Sequence, residues 1–165
     1  MIEIKKALPE QLDRLIEIEQ MTFPPEEAAV KETFAYRMEK YPFWFRSAKI
    51  GDEIVGYICG IPVEAGTDGG IRDAMYEADA YPSGDTFAFL GIGVDPVRQR
   101  KGIGELLVRT IIFLCKEAGM KRIILACKEE KLDWYSRFGF EKMGPSASEH
   151  GGAVWYDMEI GRAHV

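Results

Sequence analysis

The run from Thr86 to Ala118 restricts the fold more than any other stretch of the chain. Thr86 to Val94 is apolar enough for a buried strand, and Asp95-Pro96 closes it. A helical period then runs from Gly102 to Ala118, with Ile103, Leu106, Leu107, Ile111 and Leu114 expected on its buried face and Gly119 placed to end it. Lys121–Ala126 reads as the next strand. A strand, a crossover helix and a further strand make a βαβ unit, so the sheet must contain a parallel pair.

The junction inside that unit carries chemistry. It reads Val94-Asp95-Pro96-Val97-Arg98-Gln99-Arg100-Lys101-Gly102-Ile103-Gly104. A helix N-terminus presents unpaired N–H groups and the positive end of the helix dipole, which suits a phosphate. Gly102 and Gly104 keep side chains out of the way, while Arg98, Arg100 and Lys101 add positive charge. The run lacks Gly-Lys-Ser/Thr and a full Gly-x-Gly-x-x-Gly, which argues against ATP and NAD and for a diphosphate bound without catalytic magnesium. Gly91 and Gly93 interrupt the preceding strand, as at a bulge or where another backbone or ligand comes close.

Elsewhere the pattern is of one layered domain. Ile2 and Ile4 suggest a short strand, and Leu12, Leu15, Ile16 and Ile18 one face of a helix that ends at Pro24-Pro25. A second helix is expected over Glu26–Lys40, its acids stabilising the N-terminus. Trp44–Ile50 and Ile54–Val63, joined by Gly51-Asp52, read as a hairpin, and residues 64–85 as a long loop. Glu129–Phe138 reads as a short helix, and Phe140–Met143 and Ala153–Ile160 as strands. The order β-α-α-β-β-β-α-β-α-β-β implies an α/β fold with a mixed α+β sheet, as one domain over 1–160. Residues 161–165 are set apart as a tail, disordered or added to the natural chain.

Composition narrows the partners. The chain has 165 residues, is 47% hydrophobic and carries a net charge of -6. That excludes global disorder and disfavours nucleic acid, while favouring cationic ligands. Cys59, Cys115 and Cys127 lie in apolar segments without metal-type spacing, and His150 and His164 are the only histidines. Reduced thiols in a cytoplasmic protein without a metal are expected. The charged start (Glu3, Lys5, Lys6) does not resemble a signal peptide, and the apolar run Ile111–Cys115 is too short to span a bilayer. No membrane partner is expected, and self-association into a homodimer is left open.

Gln99-Arg100-Lys101-Gly102-Ile103-Gly104 resembles the Gln/Arg-x-x-Gly-x-Gly/Ala motif of the GNAT superfamily of acetyl-CoA-dependent N-acyltransferases. Further segments are similar to its serotonin (arylalkylamine) N-acetyltransferase branch and microbial relatives. They are Phe23-Pro24-Pro25-Glu26-Glu27-Ala28, Tyr81-Pro82-Ser83-Gly84, Ile124-Leu125-Ala126-Cys127-Lys128, Trp134-Tyr135-Ser136-Arg137-Phe138-Gly139-Phe140 and Gly144-Pro145-Ser146. The resemblance implies a mostly antiparallel central sheet splayed at the fourth strand and flanked by about four helices. It implies acetyl-CoA as co-substrate, held by Ile92, Gly93, Val94, Gln99, Arg100, Lys101, Gly102, Ile103, Gly104, Glu105, Tyr135 and Arg137, with no metal.

An amine of pKa about 10 must lose a proton before it attacks a thioester, and the leaving thiolate benefits from an acid. Tyr135 aligns with the family tyrosine that acts as that acid; packing of Trp134, Tyr135 and Phe138 is its other reading. Where vertebrate members carry two strand histidines, this chain has Ala88 and Leu90. Glu26 or Glu27 could supply the base, because insect relatives use a glutamate after the first helix. Cys127 could line the site or be a buried structural thiol. Tyr36, Tyr41, Phe43, Trp44 and Tyr81, with Asp73, Glu77 and Asp79, could line an amine pocket or serve core and surface. The expected activity is acetyl transfer to a small primary amine, arylalkylamine- or polyamine-like, by direct attack in a ternary complex. The alternatives are acetylation of a protein N-terminus or lysine, and a silent acyl-CoA-binding sensor.

Overall fold

A computed structural model describes residues 1–64, 84–146 and 150–161. Its strands are β1 (Ile2–Lys6), β2 (Phe45–Ile50), β3 (Glu53–Val63), β4 (Thr86–Val94), β5 (Arg122–Cys127), β6 (Glu141–Pro145) and β7 (Tyr156–Ile160). Its α-helices are α1 (Leu12–Thr22), α2 (Lys31–Lys40), α3 (Ile103–Glu117) and α4 (Leu132–Ser136). Their order along the chain is the one expected from the sequence. The sheet has seven strands in the order β1-β2-β3-β4-β5-β7-β6. The pairs β1–β2, β2–β3, β5–β7 and β6–β7 are antiparallel, and β4–β5 is parallel. This is the mixed, splayed sheet that the resemblance implies.

Contacts divide the chain into two compact units, Met1–Gly60 with Gly91–Ile111, and Ile61–Leu90 with Ile112–Val165. In the first unit Gly51-Asp52 makes the hairpin turn, with Ile50 opposite Glu53 and Gly51 at φ +61°. That positive φ suits glycine, and a two-residue turn matches the twist of the strands it joins. Neighbouring residues of β3 then face opposite ways. Gly56 lies under α3, where a Cβ would stand 3.3 Å from a Leu107 methyl and 2.9 Å from the Gly93 carbonyl oxygen. Tyr57 joins the core formed with Leu15, Ile16 and Ile18 of α1 and Phe34 and Met38 of α2. In the second unit Phe87, Ala88, Ile123, Leu125, Phe140, Met158 and Ile160 are all buried.

Three local expectations need correction. Leu106 is 39% exposed, because the buried stripe of α3 runs through Ile103, Leu107, Val108, Ile111 and Cys115 and Leu106 lies off it. No helix starts at Glu26: the Pro24 carbonyl accepts from both Glu27 and Ala28 N–H in a single turn, and α2 begins at Lys31. The acids therefore do not cap a helix. The final strand starts at Tyr156 rather than Ala153, because His150–Gly152 forms a turn with Gly151 at φ +65° and Gly152 at φ +73°. The expected loop at Asp73, Glu77, Asp79 and Tyr81 lies outside the described residues, as do residues 162–165 of the expected tail.

Among the described residues no helix is long and apolar enough to cross a membrane. The position of the α3 stripe can be checked by urea denaturation. Leu107→Ala should lose about 2–5 kcal/mol of stability, as buried leucines do, and Leu106→Ala less than about 1 kcal/mol.

Candidate functional site

The turn from β4 into α3 is fixed at both ends. Asp95 N–H donates to the Val55 carbonyl at 2.8 Å, which ties the end of β4 to β3. The Asp95 carboxylate accepts from Val97 N–H at 3.0 Å and from Arg14 Nη2 of α1 at 2.5 Å. The Val97 N–H and then the Arg14 guanidinium hold its carboxyl below the usual carboxylate range, against the effect of burial. Pro96–Arg98 makes one tight turn, and Arg98 pairs with Glu53 at 2.6 Å. Gln99 is extended, and its side-chain amide donates to the Val94 carbonyl at 3.3 Å.

Beyond this anchor the backbone takes a form suited to anions. Arg100 has φ +63° and Gly102 φ +80°. Left-handed residues within such a run turn backbone N–H groups toward one concavity, a nest that receives anionic oxygens. At Gly102 the reason for glycine is conformation, since nothing lies within 4 Å of where a Cβ would stand. Arg100 adopts this region with a side chain, at a cost of about 1–2 kcal/mol. The first bond of α3 runs from Leu106 N–H to the Gly102 carbonyl at 3.0 Å. The N–H groups before it have no acceptor within the helix. Gln99, Arg100, Lys101 and Gly102 are exposed, and Ile103 is buried as the anchor of the helix start. The Glu105 carboxylate reaches along α3 to Arg109 at 3.1 Å, so what Glu105 offers an anion is its position in the first turn.

The strand before the loop shows what its glycines accommodate. The pairing of β4 with β5 covers Thr86–Ala88 against Arg122–Ile124 and stops before either glycine. Gly93 is open to the ring of Tyr57: a Cβ there would stand 2.6 Å from Tyr57 Cε1. Past Ala88, Ile92, Gly93 and Val94 continue as strand, a backbone against which an extended amide ligand can pair.

Tyr135 lies in α4 of the second unit, 7% exposed. Phe89 and Phe140 stand edge-on to its ring at 5.8 and 5.9 Å, and Trp134 at 4.9 Å. Burial, and secondarily Cys127, push its phenol well above the ordinary tyrosine value, so it stays protonated at neutral pH. Cys127 is buried, its Sγ 3.6 Å from Met158 Sδ, and its thiol is pushed up to about 11 by burial. That environment fits a structural cysteine. Arg137 is exposed beside the Phe138 ring.

The two acidic candidates separate. Glu26 is exposed, whereas Glu27 is 7% exposed within the turn after α1. Among the described aromatic candidates, the Tyr36 ring stands edge-on to Tyr41 at 6.4 Å and Phe43 to Trp44 at 4.7 Å. Tyr41 and Trp44 are buried, while Phe43 is partly exposed beside the Arg46 guanidinium at 4.8 Å. The motif reading passes over Glu19 and Arg37, both buried and charged. Each left a sequence signal: Glu19 falls four residues after Leu15 and Arg37 three after Phe34, on the apolar faces of their helices.

Comparison with known proteins agrees with this geometry. The model of the acetyltransferase (GNAT) family matches residues 12–140. Solved structures similar to the chain include the GNAT-like decarboxylase GphF in complex with isobutyryl-CoA. It is 16% identical, with 96% of this chain and 98% of that one covered and a TM-score of 0.79. The ribosomal-protein-S18-alanine N-acetyltransferase from Escherichia coli is 17% identical, with coverage of 98% and 94% and a TM-score of 0.70. Chaetomium thermophilum Naa20, in complex with a bisubstrate analogue, is 19% identical, with coverage of 98% and 87% and a TM-score of 0.72.

The role of Asp95 in anchoring the loop can be read from pH. A carboxyl held below its ordinary range stabilises the fold fully above its unfolded-state pKa of about 4, and that contribution is lost as pH falls through the lower folded value. The stability gap between wild type and Asp95→Asn should therefore be level from about pH 5 to pH 8 and close below about pH 4, measured by urea denaturation.

Proposed function

The chain belongs to the acetyltransferase (GNAT) family, and on that premise we propose that it moves acetyl from acetyl-CoA to the primary amine of a small cationic molecule, arylalkylamine- or polyamine-like. The observation that carries the coenzyme side is the left-handed pair Arg100 and Gly102 at the start of α3. In this reading the backbone there, with Gln99, Lys101, Ile103 and Gly104, binds the diphosphate, and Ile92–Val94 pairs with the amide-bearing arm. Residues 1–160 act as one catalytic domain.

The chemistry asks for three things. The amine, with a pKa of about 10, must give up a proton; the carbonyl oxygen needs a donor as charge builds on it; the thiolate needs an acid. Glu27 is the better candidate base, because burial restricts its solvent and turn geometry fixes its backbone. Tyr135, buried in α4 and protonated at neutral pH as a tyrosine is, is the candidate acid. Ala88 and Leu90 cannot move a proton, which separates this chain from the vertebrate proton path. The acidic net charge and the buried thiols support a cytoplasmic enzyme acting on a cationic acceptor, with no nucleic-acid partner.

Thiol release from acetyl-CoA should be measured with arylalkylamines, polyamines and short peptides as acceptors. Release with a small amine is expected. Tyr135→Phe should lower turnover at least about a hundredfold, as loss of a general acid does, with coenzyme A affinity by calorimetry changed less than about twofold. Unchanged turnover removes Tyr135 from the reaction. Glu27→Gln should displace the acidic limb of the pH–rate profile, and Glu26→Gln should leave it in place. Release with peptides alone would make the protein an N-acetyltransferase of polypeptides, like the S18-alanine enzyme that shares its fold. Binding of coenzyme A without release to any acceptor would make it a sensor.

A further inference from the structure

Glu19 is a carboxylate on the apolar face of α1, 6% exposed, and both of its oxygens are engaged. Oε2 accepts Ala29 N–H at 2.8 Å, and Oε1 accepts the Tyr57 hydroxyl. Tyr57 is 0% exposed on β3. Its ring fills the space beside Gly93, with Phe34 edge-on at 5.2 Å and Phe45 tilted at 6.1 Å. Ala29 directly follows the turn that contains Glu26 and Glu27, which the Ala28 N–H closes on the Pro24 carbonyl. A connection therefore runs from β4 at Gly93, through a phenol and a carboxylate, to the turn after α1.

Packing does not require this pair. The ring alone fills the core, and phenylalanine would fill it as well. Burying a carboxylate is costly unless donors satisfy it, and apolar replacements for buried polar pairs are often neutral or stabilising. What the pair adds is a fixed position for the chain just past a single turn, before α2 begins at Lys31. We propose that Glu19 and Tyr57 are positioning residues that hold the Glu27 turn in place for the acceptor amine. This rests on the reading of that turn as the acceptor side. Burial and the Glu19 charge keep the Tyr57 phenol protonated, so it remains a donor at neutral pH.

The test compares wild type, Tyr57→Phe, Glu19→Gln and the double variant in steady-state kinetics and in amide exchange at Ala29. Tyr57→Phe keeps the ring beside Gly93, so the KM for acetyl-CoA should stay within about twofold while the KM for the amine rises about tenfold, as expected for loss of one hydrogen bond to a charged group. The double variant should be no worse than the weaker single variant, because the two groups act as a unit. An unchanged amine KM, or equal rises in both KM values, overturns the proposal. If wild type acetylates no acceptor, the reaction reading falls and exchange decides the latch. Faster exchange at Ala29 in Tyr57→Phe upholds it, and equal exchange refutes it. Should Glu19→Gln not fold, Tyr57→Phe decides by the same measurements.

Discussion

The close approach of Tyr57 to Gly93 governs the first unit. A side chain at Gly93 would collide with the ring, and a Cβ at Gly56 would meet the Gly93 carbonyl oxygen and press on α3. Two glycines thus let a large aromatic lie on one side of β3 and the main helix on the other. The ring in turn contacts Phe34 of α2 and Phe45 of β2 and bonds to Glu19 of α1. Moving β4 would disturb all of these at once, so the backbone that leads into the loop at Gln99–Gly102 is fixed from beneath. Arg14 and Asp95 add a second tie from α1 to the loop itself. Main-chain donors, as proposed for the loop, depend on such restraint, because a backbone N–H cannot swing toward a ligand as a lysine or arginine side chain can.

Much of the fold was legible for the same reason. Alternation over Ile2–Ile4, the apolar run Thr86–Val94 and the helical period after Gly102 each reflect a burial pattern, and burial is what a sequence expresses most directly. The errors lie where local signals compete with contacts made elsewhere. Leu106 is an apolar residue beside an apolar stripe, and only the true helical phase leaves it outside. Pro24-Pro25-Glu26-Glu27 carries the signature of a helix start, yet its Ala29 N–H goes to Glu19 instead of an intrahelical acceptor. That partner is ten residues back and on another element, so no local rule could reveal it.

Gly91 and Gly93 were expected to mark a bulge or the approach of another backbone or ligand, and at Gly93 the neighbour is a side chain. The β5 ladder already ends at Ala88, and what approaches Gly93 is the Tyr57 ring. The ladder with β5 thus ends three residues before Gly91. Those glycines set which residue can lie under the strand, and the free backbone edge is a separate consequence of where the ladder stops.

The two halves of the proposed reaction differ in how they would be written into the chain. The coenzyme half would use backbone geometry, and such a requirement falls on a few positions where a side chain or a negative φ would spoil it; Gly102 at φ +80° is a position of that kind, and a short motif can announce it. The acceptor half would use carboxylates and a phenol, groups whose behaviour depends on burial and on partners from other elements. Glu19, Glu26 and Glu27 are the same residue type within eight positions, and only the structure shows that two are buried and one is not. A chain can thus announce its family through a short motif while giving little sign of which acceptor it serves. The same fold occurs in a GNAT-like decarboxylase and in a ribosomal-protein-S18-alanine N-acetyltransferase, so the fold by itself does not name the reaction.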